Sequence, residues 1–190
     1  MRRHDGGACF LIPEPGSAGL PRNLRLFLAL WPDPAVARKV AGHARHWSFP
    51  PGCRRYGPQD WHVTLHFLGS VATERLPDLV EAIDLPLESC DLLLDRPQLW
   101  PRGLAVLCAM QVPPALLDLH RRLADALAGL DLPVEQRTYR PHVTLARNAG
   151  DATTPVDGPA VAWPVRDFAL VVSTGRPDRR YEVIGRYPTT

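Results

Sequence analysis

The tetrapeptide His-Val-Thr-Leu occurs twice, at residues 62–65 and again at 142–145. With this chain's composition, roughly 0.004 copies are expected by chance, so a duplication is the simpler account. Each copy follows a helical pattern and sits in a short apolar segment that reads as a strand. A repeated strand of this kind predicts two similar halves, each presenting one copy, with a cleft between them.

The rest of the chain supports such a plan. Leu24–Leu30 is a short apolar run bounded by Asn23 and Pro32, which predicts a strand. Asp33 followed by Pro34 is an N-cap with proline at the first helical position, and predicts a helix to about Trp47. Residues 48–60 read as a Pro/Gly/Arg loop and Trp61–Leu68 as a strand closed by Gly69. A second helix is expected over Thr73–Ile83, then strands at 87–94, 99–100 and 104–111. Pro113 and Pro114 open the longest helix, ending near Gly129, with Leu116, Leu119, Leu123 and Leu127 as its apolar stripe. Thr138–Arg147 reads as a strand. Trp163–Ser173 and Arg180–Tyr187 read as a hairpin across Gly175–Asp178. Strands and helices in this order give an α+β fold of two lobes. Residues 1–22, rich in Gly and Pro, are expected to be a flexible extension, with residues 23–190 forming one domain.

Composition limits the partners. The chain carries 22 Lys+Arg against 20 Asp+Glu, a net charge of +2. That is too balanced for coating duplex nucleic acid, which needs many phosphate contacts, yet it allows a local anion site. Cys9, Cys53, Cys90 and Cys108 show no C-x-x-C spacing, as expected of reduced thiols in the cytoplasm. No apolar stretch reaches the roughly 20 residues of a membrane helix. No membrane partner is expected, and a monomer is.

The repeat itself carries the chemistry. Residues two apart on a strand share a face, so His62 lies beside Thr64 and His142 beside Thr144. Imidazole titrates near neutrality, so one ring can be neutral while the other is charged. That is what in-line phosphoryl displacement needs: a base for water, an acid for the leaving oxygen, and hydroxyls to hold the phosphate. Neither a metal nor a cofactor is required. One alternative stands beside this reading: His62, His66 and His142 could hold a metal. His43, His46 and His120 are expected on solvated helix faces. Tyr181 and Trp163 read as core or rim residues, and Arg137 and Arg140 as cations at the cleft mouth or on the surface.

The segments HVTLHFLG (62–69) and RPHVTLAR (140–147) resemble the two signatures of the 2H phosphoesterases. With RLFLAL, PALLDLHRRLADAL and RYEVIGRYP, the resemblance covers residues 24–188 and is nearest the RNA 2′,3′-cyclic phosphodiesterases, also called 2′-5′ RNA ligases. It implies a bilobal 2H phosphoesterase-like fold, with mainly antiparallel sheets facing a central cleft and helices outside. The implied activity is hydrolysis of 2′,3′-cyclic phosphates on RNA ends or nucleotides to 2′-phosphates, with two alternatives on the same fold: joining of 2′-5′ RNA ends at the same site, or binding of nucleotides or RNA ends without turnover. The implied catalytic residues are His62 and His142. Thr64, Thr144 and Arg147 match the phosphate-binding positions, and Phe67 a base-stacking one. Phe67 and Arg147 each lie five residues after a motif histidine, on the wrong face by strand parity, so each strand should twist, bulge or end there. Three departures concern stacking: Arg55 stands where a tryptophan is common, with Tyr56 beside it; Cys108 stands where an aromatic is common; and His66 holds a variable position.

Overall fold

A computed structural model describes residues 9–10 and 21–189 of the chain. The strands are β1 (Cys9–Phe10), β2 (Asn23–Leu30), β3 (Arg54–Arg55), β4 (Val63–Ala72), β5 (Cys90–Trp100), β6 (Leu104–Ala109), β7 (His142–Arg147), β8 (Val161–Val165), β9 (Asp167–Ser173) and β10 (Tyr181–Pro188). The helices are α1 (Pro34–Ala44), α2 (Leu76–Ala82) and α3 (Pro114–Gly129). The expected flexible extension lies outside the described residues, except for β1, which pairs with β10, and Pro21–Arg22.

The strands form one sheet in the order β1-β10-β9-β2-β4-β7-β6-β5-β8, with β3 added beside β7. Every strand pairing is antiparallel. The two lobes expected from the repeat are the halves of this sheet, which meet at β4 and β7 through the pair Val63–Val143. A single residue, Arg166, separates β8 from β9, yet five strands stand between them in the ladder. Chain continuity therefore forces the sheet to curl until the edge strand β8 approaches the end of β9 in the other half. The expected strand 163–173 is broken at this crossing into β8 and β9, one in each half.

Local chemistry accounts for the elements. The Asp33 carboxylate accepts the Val36 N–H at 2.7 Å, capping α1 behind Pro34. The helix stops at Ala44, three residues short of Trp47, whose ring instead packs on Phe49 at 5.6 Å. Thr73–Arg75 is a 3₁₀ turn that leads into α2. β5 runs unbroken through Pro97, because β8 pairs only with residues 90–94 and leaves the other edge free beyond them. A proline there need not cost a ladder hydrogen bond. β3 lies inside the stretch expected to be loop.

The helices cover the convex face. Leu116, Leu119, Leu123 and Leu127 of α3 are all fully buried, each burial worth about 1.5–3 kcal/mol. They share one core with Val36 and Val40 of α1 and with Leu65, Val143 and Leu145 beneath the repeat. A smaller cluster of Phe27, Ala29, Ala169 and Val171 lies on its own, with Trp31 and Tyr181 packed against it. Among the described residues, no helix is long and apolar enough to cross a membrane.

Candidate active site

The pairing of Val63 with Val143 fixes the geometry of the repeat. One step outward in that antiparallel register, His62 lies opposite Thr144 and Thr64 opposite His142. Both valines are fully buried, whereas the two histidines and two threonines are half-buried on the other face. They line one cavity of about 810 Å³, together with Phe67 and Arg147. All six residues singled out in the sequence are thus brought together.

A bulge explains how Phe67 and Arg147 reach this face. The β2–β4 register passes from Thr64 to His66 and skips Leu65; the β6–β7 register passes from Thr144 to Ala146 and skips Leu145. The fourth residue of each repeat is therefore an extra residue in its strand, and the alternation of faces restarts beyond it. His66 is the casualty of the same reset. Strand parity alone puts it beside His62 and Thr64, but it points into the core, only 2% exposed. Its Nε2 lies 2.8 Å from the His120 carbonyl, and its ring stacks on the His120 ring at 4.0 Å. The trio His62, His66 and His142 therefore cannot converge on a metal. No group of three or more His, Cys, Asp or Glu side chains suited to a metal occurs among the described residues.

Both motif histidines are held in the same way. His62 Nδ1 donates to the Asp60 carbonyl at 2.7 Å and His142 Nδ1 donates to the Arg140 carbonyl at 2.8 Å. A carbonyl can only accept, so the neutral tautomer carries its proton on Nδ1 and leaves Nε2 free to take or give one.

Their surroundings differ. His62 is caged by aromatic rings: Trp31 stacks parallel to it at 5.5 Å, with Phe27 at 5.0 Å and Tyr181 edge-on at 5.1 Å. Burial in this cage disfavours the charged ring and pulls its pKa down to about 4, against a smaller upward pull from the Asp60 carbonyl. His142 packs against Trp100 at 4.5 Å, and burial lowers its pKa too, with Arg140 and Arg147 adding to the fall. Arg140 lies over the Trp100 ring at 4.7 Å and donates to Gln98, as does the Trp100 indole. Arg137 lines the cavity, paired with Glu135.

Several of these neighbours are not legible from the chain. Asp60 is buried, and its carboxylate pairs with Arg180 at 2.5 Å, 120 residues away. Trp31, Trp100 and Tyr181 surround the two rings, although nothing in their local sequence marks them. Tyr181 is a wall of the site as well as a rim residue, whereas Trp163 is plain core. His46 is exposed as expected, just beyond the end of α1, whereas His43 is buried and His120 half-buried. His43 is 1% exposed and its Nδ1 donates to the Pro159 carbonyl at 2.9 Å. The His120 ring is sandwiched between His66 and Tyr139. In both cases a neighbouring segment distant in sequence covers a helix face that periodicity leaves open.

Comparison with known proteins agrees with this geometry. The family model described as the 2′-5′ RNA ligase superfamily matches residues 31–176. The RNA 2′,3′-cyclic phosphodiesterase of Escherichia coli (strain K12) is 34% identical over 173 residues, covering 87% of this chain and 97% of that protein. The crystal structure of E. coli LigT complexed with 3′-AMP has a TM-score of 0.78 at 28% identity, covering 88% of this chain and 99% of that one. The LigT complex with phosphate gives a TM-score of 0.74 at 28% identity, covering 90% and 99%. The chain belongs to the 2′-5′ RNA ligase superfamily.

Proposed function

We propose that this protein is a phosphodiesterase that hydrolyses terminal 2′,3′-cyclic phosphates of RNA to 2′-phosphates. The observation that carries the reading is the pair of His–Thr faces in one cavity, each ring with its Nδ1 tied to a carbonyl and its Nε2 free. The E. coli relative that covers most of this chain is an RNA 2′,3′-cyclic phosphodiesterase.

In this mechanism the phosphate sits between the rings, with Thr64, Thr144 and the Arg147 guanidinium donating to its non-bridging oxygens. One neutral Nε2 takes a proton from water as the oxygen attacks phosphorus in line. The other ring, protonated, gives its proton to O3′ as the P–O3′ bond breaks. Phe67, 62% exposed on the cavity face, offers its ring to the terminal base. The proton inventory follows from the burial of both rings. The empty cleft favours two neutral imidazoles, and the bound phosphate anion draws one proton back onto the pair. No metal or cofactor enters these steps. The six residues come from one chain, so a monomer suffices.

The test is to incubate the protein with an RNA ending in a 2′,3′-cyclic phosphate and identify the product by phosphorus NMR. A 2′-phosphate is expected. A 3′-phosphate overturns the leaving-group assignment, a 2′-5′ linkage to a second RNA makes ligation the activity, and no turnover leaves a binding module.

A further inference from the structure

β3 is only two residues long and lies off the main ladder, paired to β7 alone: Arg54 opposite Arg147 and Arg55 opposite Ala146. Antiparallel partners point to the same face, so Arg54 stands beside Arg147 on the cavity side. Arg55 turns the other way, its guanidinium 4.9 Å over Phe49. The Arg54 guanidinium lies 5.7 Å from the ring of Tyr56, which itself lines the cavity. Both Arg54 and Arg147 are exposed, and neither forms an ion pair among the described residues.

Like charges directly opposite one another weaken a strand pair. Here two guanidiniums share such a position with no carboxylate between them, and the nearby Arg180 is already neutralised by Asp60. A cyclic phosphate carries one negative charge and is matched by Arg147 with the two threonines. Arg54 is then a further cation beside the cavity-lining Arg147 and Tyr56, without an ion pair among the described residues. Cross-strand Cβ atoms lie about 4.5–5.5 Å apart, and the arginine arms reach further, so the pair can straddle two anionic groups in series.

We propose that Arg54 forms a second phosphate subsite for the phosphodiester joining the terminal nucleotide to the rest of the chain, so that the protein selects polynucleotide ends over single nucleotides. This rests on the reading of the cavity as a site for RNA ends. The Arg54 guanidinium is in cation–π range of the Tyr56 ring, which it shares with Arg180 at 5.2 Å.

The experiment compares kcat/KM for a nucleoside 2′,3′-cyclic phosphate and for a trinucleotide with the same terminus, at several KCl concentrations, in wild type, Arg54→Gln and Arg54→Lys. Wild type should prefer the trinucleotide. Arg54→Gln should lower kcat/KM for the trinucleotide roughly tenfold more than for the nucleoside, as for loss of one charged hydrogen bond. Its log–log salt slope for the trinucleotide should shrink by about 0.7, the share of one phosphate contact on a single strand, and Arg54→Lys should restore that slope. Equal losses on both substrates would place Arg54 on the reacting phosphate, and no loss on either would remove it from the site; both overturn the subsite. Should wild type turn over neither substrate, the hydrolase reading fails separately. Anisotropy with a fluorescein-labelled trinucleotide then decides: a roughly tenfold weaker Kd in Arg54→Gln upholds the subsite, and an unchanged Kd overturns it.

Discussion

Val63 pairs with Val143, and this pair joins β4 to β7 where the two halves of the sheet meet. The pseudo-twofold relation of the repeat passes between these two residues. It places a histidine of each half opposite a threonine of the other, so neither half contains a complete phosphate site. A site split across a seam in this way depends on both copies at once.

For that reason the two histidines should fail as a unit. His62→Ala and His142→Ala are each expected to cost about 10²–10⁴ in kcat, and the double variant little more than either single one. Single-turnover rates with a cyclic-phosphate RNA check this, with circular dichroism to show that the fold persists. A single variant with near-normal kcat would disprove the paired mechanism.

The pH profile follows from the depressed histidines. In the free protein both rings lose their protons below the usual imidazole range, His62 at about 4. Because one proton must be present on the pair, kcat/KM should be bell-shaped, with its maximum on the acid side of 6.5 and its alkaline fall already under way by 6.5. Bound phosphate raises both rings, so the profile of kcat should lie at higher pH than that of kcat/KM. EDTA should leave both curves unchanged. A rate that rises to an alkaline plateau and is lost on chelation would instead indicate a metal-bound hydroxide.

Arg147 and Phe67 should separate kinetically. Arg147→Ala is expected to lower kcat and raise KM together, since the guanidinium faces phosphate charge in both ground and transition states. Phe67→Ala should mainly raise KM, by the roughly 1–3 kcal/mol of one base stacked on an aromatic ring. An unchanged KM in Phe67→Ala would move the base elsewhere, with the Tyr56 ring next to be tested.

Asp60 and Arg180 tie β10 to the loop that carries His62. Arg180→Ala leaves a buried carboxylate without its partner and should cost about 3 kcal/mol or more in urea unfolding. Adding Asp60→Asn should recover much of that loss. If Arg180→Ala unfolds at the wild-type urea concentration, the pair contributes nothing to the fold.

Acid should destabilise the protein. His43, His62, His66, His120 and His142 all have pKa values lowered by burial, with His62 and His120 near 4. The unfolded chain binds protons at these rings from about pH 6.5 downward while the folded chain does not, so stability is full above 6.5 and falls progressively toward pH 4. Thermal melts should show Tm lower at pH 5 than at pH 7.5 by roughly 5 °C or more. A flat Tm over that range would mean that these rings are solvated in the native state.

The chain by itself determined the α+β class, the helix starts at Asp33–Pro34 and Pro113–Pro114, and the leucine stripe of α3. It also showed that His62, Thr64, His142 and Thr144 form one constellation. These are readable because capping, periodicity and an exact repeat are local patterns. Only the tertiary structure decided the rest. The resemblance called for a twist, bulge or strand end near Phe67 and Arg147; the structure decided that it is a bulge, at Leu65 and Leu145, and that it also turns His66 inward, because a bulge's position is set by how a strand meets its partner. The break of 163–173 at Arg166 arises because the chain crosses there from the edge strand β8 to β9 in the other half of the curled sheet. The aromatic cage that drives down the pKa of His62 joins Phe27, Trp31 and Tyr181 from β2, the residue just beyond it, and β10. Desolvation depends on which surfaces exclude water from a ring, and those surfaces come from segments far apart in the sequence.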